Sequence, residues 1–142
     1  ITSCLVGSEM CIRDSPYMGA GMNASARDLA KFGLMLMNNG TFNNTQIVPE
    51  SWIKSTLEES AEYKNIFSKS EYGLRLPGFH YKNQTWVGGP ETMICIGIYG
   101  QAIYVDQKNK VVIVKLSSHP EPDDPLILGN TFLGIVALSE NL

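Results

Sequence analysis

Charge, cysteine and long apolar runs are all in short supply in this chain of 142 residues, and each shortage excludes a class of function. Charged residues make up 18%, with 11 Lys and Arg against 14 Asp and Glu, for a net charge of −3. No Lys or Arg cluster stands out among them, which argues against nucleic acid or an anionic membrane surface as a partner. No apolar run approaches the ~20 residues that cross a bilayer, so no transmembrane helix is predicted. The three cysteines, Cys4, Cys11 and Cys95, form no CxxC pair and imply neither a disulfide framework nor a metal site. His80 and His119 stand far apart without Asp or Glu at ligand spacing, so no zinc centre is expected and both read as loop residues. No cofactor is implied. What remains is ordinary globular composition, 44% hydrophobic over enough length for one domain with a real core.

The first fifteen residues, ITSCLVGSEMCIRDS, behave differently from the rest. They resemble a translated sequencing-adapter string, that is, a non-native leader. The alternatives are a short strand over Cys4 to Val6 with a polar turn after it, or a signal peptide whose apolar region Glu9, Arg13 and Asp14 would interrupt. On the leader reading the domain occupies residues 16–142, and Cys95 is its one native cysteine, a small core residue on a strand.

Met93 to Ser118 organises the remainder. Three runs rich in Val, Ile and Tyr are separated by Gly97-Ile-Tyr-Gly100 and by Asp106-Gln-Lys-Asn-Lys110, which predicts a three-strand antiparallel meander. Val111 to Val114 is apolar on both faces, the pattern of a strand buried on both sides with a layer above and below. Two helices are available to form those layers. Ser25-Ala-Arg-Asp28 has the form of a capping box, Leu29, Phe32 and Leu36 make an apolar stripe with Arg27 and Lys31 off it, and Asn38-Asn39-Gly40 ends that helix. The second covers Leu126 to Leu138, after a break at His119-Pro-Glu-Pro-Asp-Asp-Pro125, and packs back on the meander. The expected fold is therefore α+β, an α/β sandwich with an antiparallel sheet flanked by helices. Between these elements, Pro49 opens a short helix with Trp52, Ile53 and Leu57 on its apolar face. A polar linker then leads to a strand over Tyr72 to Leu76 and a Gly- and Pro-rich excursion through His80, Trp86 and Pro90.

These stretches resemble the C-terminal part of the class C β-lactamase and penicillin-binding-protein superfamily of serine hydrolases, nearest its esterase, amidase and nylon-oligomer hydrolase branches. Cys95-Ile96-Gly97 falls where that family has Lys-Thr-Gly or His-Thr-Gly. Gly100-Gln101 falls at the following turn, Tyr104-Val105-Asp106 at the strand end, and Val111 to Leu116 on the last strand. Residues 19–33 are similar to the family's Gly-Met-x-x-Ser-Ala-x-Asp-Leu-Ala-x-Phe-Gly stretch, and Gln46-Ile-Val-Pro49 with Trp52 to another. Neither Lys nor His stands at Cys95, nor Thr at Ile96, so the esterase and amidase branches fit better than the drug-hydrolysing ones.

The resemblance implies a fold, the C-terminal part of the β-lactamase/transpeptidase-like architecture, and a set of site residues. The backbone N–H of Ile98 would be one oxyanion-hole donor, the other being the nucleophile's own N–H. Gly97 would let substrate approach the strand edge, or else mark a simple bulge. Tyr99 would wall the pocket. Met22 and Asn23 would border the cleft, with Asn23 either hydrogen-bonded to substrate or only shaping the turn before the helix cap. Ser51-Trp-Ile-Lys54, Tyr63-Lys-Asn65 and Tyr81-Lys-Asn83 imitate the family's Ser-x-x-Lys and Tyr-x-Asn motifs, but in the wrong order and at the wrong spacing. A triad through His119 is poorly supported, because this superfamily moves protons with Lys and Tyr. The implied function is the C-terminal portion of a serine hydrolase acting on a small-molecule ester or amide through an acyl-enzyme, inert alone because nucleophile and base lie upstream. The alternative is a catalytically inactive, penicillin-binding-like module that binds peptide or cell-wall fragments.

Overall fold

The computed structural model describes residues 23–141 of the chain, and a single hydroxyl sets its first element. Ser25 Oγ accepts from the Asp28 N–H at 3.2 Å and donates to the Asp28 carboxylate at 2.7 Å, capping α1 (Ala26–Met37). The buried face of α1 carries Gly33, Met35 and Leu36, while Phe32 is 45% exposed. The expected stripe is therefore rotated. Gly33 explains the rotation: a Cβ there would lie 2.5 Å from Val112 Cγ1, so the helix comes closest to the sheet where it has no side chain. Asn39 and Gly40, with φ of 52° and 86°, end the helix as their sequence predicts.

A two-strand hairpin, β1 (Thr41–Phe42) and β2 (Thr45–Gln46), leads to α2 (Glu50–Leu57), which begins after Pro49. Ile53 and Leu57 are buried as expected, but Trp52 is largely outside the core. The next stretch departs from expectation. In place of a polar linker and a strand there are two short helices, α3 (Ala61–Ser68) and α4 (Glu71–Arg75). Each is capped by a serine: Ser60 accepts from the Tyr63 N–H and Ser70 from the Gly73 N–H, the local bonds that favour a helix start over an extended chain.

Among the described residues the sheet has five strands in sequence order, all antiparallel: β3 (His80–Lys82), β4 (Thr85–Gly89), β5 (Thr92–Gly97), β6 (Gln101–Asp106) and β7 (Val111–Lys115). The expected meander is its last three strands. Strand alternation divides the core in two. On one face Val87, Met93 and Val105 meet Met35 and Leu36 of α1 and Ile53 and Leu57 of α2. On the other, Ile94, Ala102 and Tyr104 meet Ile135 of α5 (Pro125–Asn141). Each fully buried Val, Ile or Met in these layers contributes roughly 1.5–3 kcal/mol, so the helix/sheet/helix sandwich follows from residue spacing.

Two expectations need correction. His80 lies on β3 with no exposed surface, so it is a strand residue and not a loop residue. Val111 to Val114 are half-buried and not sealed on both sides, because β7 is an edge of the sheet among the described residues. α5 reaches the sheet through Phe132, Ile135 and Val136 and leaves Leu126, Leu133 and Leu138 exposed. Among the described residues no helix is long and apolar enough to cross a membrane.

Candidate active site

Gly97 and Gln101 are the last paired residues of the β5–β6 hairpin, and Ile98–Gly100 form the tight turn between them. The register is unbroken at Gly97, whose φ is −115°, so this glycine is not a bulge. Tyr99 and Gly100 take positive φ, 59° and 83°. At Gly100 the conformation and the space both require glycine, since a Cβ would run into the His119 ring resting on it.

The turn is tied to the segment after β7. The Tyr99 N–H donates to the Pro122 carbonyl at 2.9 Å and the His119 N–H to the Tyr99 carbonyl at 3.2 Å. Lys115 Nζ donates to the Gly100 carbonyl at 3.1 Å and sits 2.8 Å from His119 Nε2. The Gln101 side-chain amide spans the Ser117 backbone, donating through Nε2 to its carbonyl and accepting its N–H at Oε1, 3.1 Å away. Among the described residues, the Ile98 N–H is donated to no group outside its own hairpin.

Beside this turn is a cleft of about 490 Å³ between the hairpin, α4 and the first turns of α5. Gly97 and Ile98 stand on one wall, and Ile98 is 67% exposed. Ile96, Phe79, Trp86 and Phe132 make the lining mostly apolar. Trp86 is held in place by edge-on contacts with Phe67 and Tyr72, centroids 5.6 and 5.1 Å away. Arg75 supplies the charge at the rim, bonded to Asp123 at 2.9 Å and Glu71 at 2.6 Å. The Asp123 carboxylate, first of all, holds the Arg75 guanidinium above its ordinary pKa, so it stays charged. Asp124 is occupied in accepting the N–H groups of Leu126 and Ile127 at the start of α5.

Cys95, at the position of the motif's Lys or His, faces away from this wall, because strand alternation puts it on the side opposite Ile96. Burial pushes its thiol pKa up, against a weaker opposing bond from Thr85. It therefore provides neither a cation nor a thiolate.

The sequence-predicted site residues divide. Gly97 and Ile98 line the cleft. Tyr99 does not: its backbone is tied to Pro122 and His119, and its side chain is 41% exposed outside the lining. Asn23 is exposed ahead of the α1 cap, on the face of the sheet opposite α5. The Gln107 side chain, just beyond β6, donates to the Leu36 and Met37 carbonyls, so α1 ends near the β6–β7 turn and starts toward the Ile98 end. Asn23 thus shares an end of the sheet with Ile98 without lining the cleft. Met22 lies outside the described residues. Ser51 is exposed on α2, and the Lys54 amine bonds Glu50 at 2.8 Å, consistent with a solvated helix face. Asn83 donates to Thr56 Oγ1 at 2.8 Å, a structural contact.

Sequence reasoning missed Lys115, Arg75 and Trp86, and read His119 as an ordinary loop residue. One signal was available for the first of these: Lys115 is the single charge closing the apolar run from Val111.

The fold and this site together define an α+β sandwich with a strained backbone turn standing over an apolar cleft. The Beta-lactamase family model matches residues 8–137, and the chain belongs to that family. It is similar to the 6-aminohexanoate-dimer hydrolase of Paenarthrobacter ureafaciens, 32% identical over 109 residues that make up 75% of this chain and 27% of that protein. Among solved structures it is similar to "Putative 6-aminohexanoate-dimer hydrolase from Bacillus anthracis", with a TM-score of 0.65 and 34% identity, covering 87% of this chain and 31% of that one. The chain thus spans less than a third of the length of either relative.

Proposed function

We propose that this chain is the C-terminal part of a serine hydrolase that cleaves an ester or amide bond, and that the Ile98 N–H is one of its oxyanion donors. The observation that carries the reading is the Ile98 turn itself: an exposed residue on the wall of an apolar cleft, its N–H donated, among the described residues, to no backbone carbonyl outside its own hairpin, beside a residue without a side chain. The family membership and the hydrolase names of the two relatives support the same reaction class.

In this reading a serine from the upstream part attacks the substrate carbonyl, and a neighbouring base takes its proton. Negative charge moves onto the carbonyl oxygen. Two fixed N–H groups, that of Ile98 and that of the nucleophile, meet it, each worth about 3 kcal/mol of barrier. Collapse expels the alcohol or amine and leaves an acyl-enzyme, which water then hydrolyses. Gly97 keeps the approach to the strand end clear. The walls of Ile96, Phe79, Trp86 and Phe132 favour an apolar group on one side of the scissile bond. Asn23 and Tyr99 are proposed as contacts on the far side of the turn, and Met22 as a further substrate contact.

The test uses the full-length protein encoded by the intact gene. An activated-serine probe is expected to label it, and Ile98→Pro tests the donor. Proline deletes this N–H without disturbing its neighbour, since Gly97 already has ψ of 158°, the region that the residue before a proline prefers. The expected loss in kcat is on the order of 10²–10³, with a much smaller loss in Ile98→Ala, which keeps the N–H. Equal losses in the two variants overturn the donor assignment. Absence of labelling, with no Ser-x-x-Lys upstream, leaves a non-catalytic binding module in place of the hydrolase.

A further inference from the structure

We propose that Lys115 is a positioning residue that holds the Ile98 amide in its working direction, an inference that rests on the oxyanion reading above. The turn needs such a device. Tyr99 and Gly100 both sit at positive φ, and a non-glycine residue there costs on the order of 1–3 kcal/mol unless its surroundings fix it. Lys115 reaches both sides of the turn's support. Its amine donates to the Gly100 carbonyl at 3.1 Å and lies 2.8 Å from His119 Nε2. An ammonium offers only donors, so in this contact Nε2 is the acceptor. That bond keeps the imidazole flat against Gly100, where no other residue would fit. The His119 backbone in turn donates to the Tyr99 carbonyl. The Ile98 N–H belongs to the Gly97–Ile98 peptide, which lies between Gly97, paired with Gln101, and the Ile98–Tyr99 peptide, whose N–H is held by Pro122. The next two carbonyls, of Tyr99 and Gly100, are anchored from the 115–119 segment, so Lys115 and His119 close the far side of the turn and limit how far the Ile98 peptide rotates with it. Lys115 itself does not line the cleft, so it acts through the turn and not on substrate.

The experiment is a double-mutant cycle in the full-length protein between Lys115→Met, which keeps the apolar stem and removes the amine, and Ile98→Pro. Lys115→Met is expected to lower kcat on the order of tenfold to a hundredfold, the cost of misplacing a catalytic group by about 1 Å. KM should stay within about twofold, because an interaction made only in the transition state is what is lost. In the Ile98→Pro background the same substitution should cost almost nothing more, since the amide it orients is already gone. A merely structural lysine would give the same loss in both backgrounds, and that outcome overturns the proposal, as does a loss confined to KM or an unchanged kcat. If Ile98→Pro alone leaves kcat intact, the oxyanion reading has failed first, and the two failures are told apart by that single variant. Should Lys115→Met not fold, Lys115→Gln is carried through the same cycle and read by the same criteria.

Discussion

Ser139 Oγ donates to the Asp106 carboxylate at 2.8 Å, a buried bond between residues 33 positions apart that ties the C-terminal helix to the end of β6. Asp106 also accepts from the backbone and side chain of Asn109, at 3.0 and 2.9 Å, so one carboxylate organises both the β6–β7 turn and the docking of α5. Burial, the largest single influence, pushes the Asp106 pKa up. The bonds from Asn109 and Ser139 outweigh it and leave the pKa below its ordinary 3.8.

Ser139→Ala removes a donor from a buried, charged acceptor and is expected to cost about 1.5–3 kcal/mol, read as a lower urea midpoint at pH 7. The pKa of Asp106 is lower folded than unfolded. Its stabilisation is therefore complete above 3.8 and is lost as the pH falls through the folded value. The penalty of Ser139→Ala should accordingly shrink on acidification below that window. A penalty independent of pH would show that the bond has no part in holding the carboxylate ionised.

His80 predicts a second acid sensitivity in a different window. Its ring is fully buried on β3 and neither nitrogen has a hydrogen-bond partner among the described residues. Burial lowers its pKa from 6.5; contact with the Thr56 backbone, too poorly formed to count as a hydrogen bond, opposes it most, Glu59 opposes it more weakly, and Lys64 and Lys82 add to the lowering. Here the neutral form is the one the fold prefers, so stability is full above 6.5 and declines as the pH falls from there toward the folded pKa. His80→Phe keeps an aromatic ring and removes two unpaired nitrogens. It is expected to hold or raise stability by about 1 kcal/mol at pH 7.5 and to flatten the decline between pH 6.5 and 5. Urea titrations at pH 7.5, 6.5 and about 5 check both; an undiminished slope in the variant would assign that sensitivity to another group.

What was legible in the sequence follows the range of the interactions involved. Ser25, Asn39-Gly40 and Pro49 punctuate helices through bonds within a few residues, and the turns at Gly97–Gly100 and Asp106–Lys110 bracket strands of clear β composition. All of these appear where expected. The two short helices α3 and α4 were missed because Tyr72-Gly-Leu reads as strand, although Ser60 and Ser70 already stood in capping positions. The burial of His80, the exposure of Phe32 and the half-covered β7 depend on which element packs over which face, information no local window contains. The site divides likewise. Gly97 and Ile98 were found through their motif, whereas Lys115 and His119 become partners of the turn only when the chain returns past it.

The close approach of α1 to the sheet at Gly33 gives a prediction with an internal control of opposite sign. Replacing a mid-helix glycine with alanine ordinarily stabilises by roughly 0.5–1 kcal/mol. At Gly134 on α5 an added Cβ meets nothing within 4 Å, so Gly134→Ala should realise that gain. At Gly33 the same methyl would lie 2.5 Å from Val112 Cγ1 and 3.3 Å from Ile103 Cγ2. Overpacking of this kind typically costs 1–3 kcal/mol, which exceeds the helical gain. The net for Gly33→Ala is then a loss of about 1 kcal/mol, tempered because Val112 lies on a half-buried edge strand and has room to shift. Thermal unfolding of the two variants should move Tm in opposite directions. A rise in both would mean that α1 is not pressed against β7 at Gly33, and the placement of Asn23 at the Ile98 end of the sheet would lose its anchor with it.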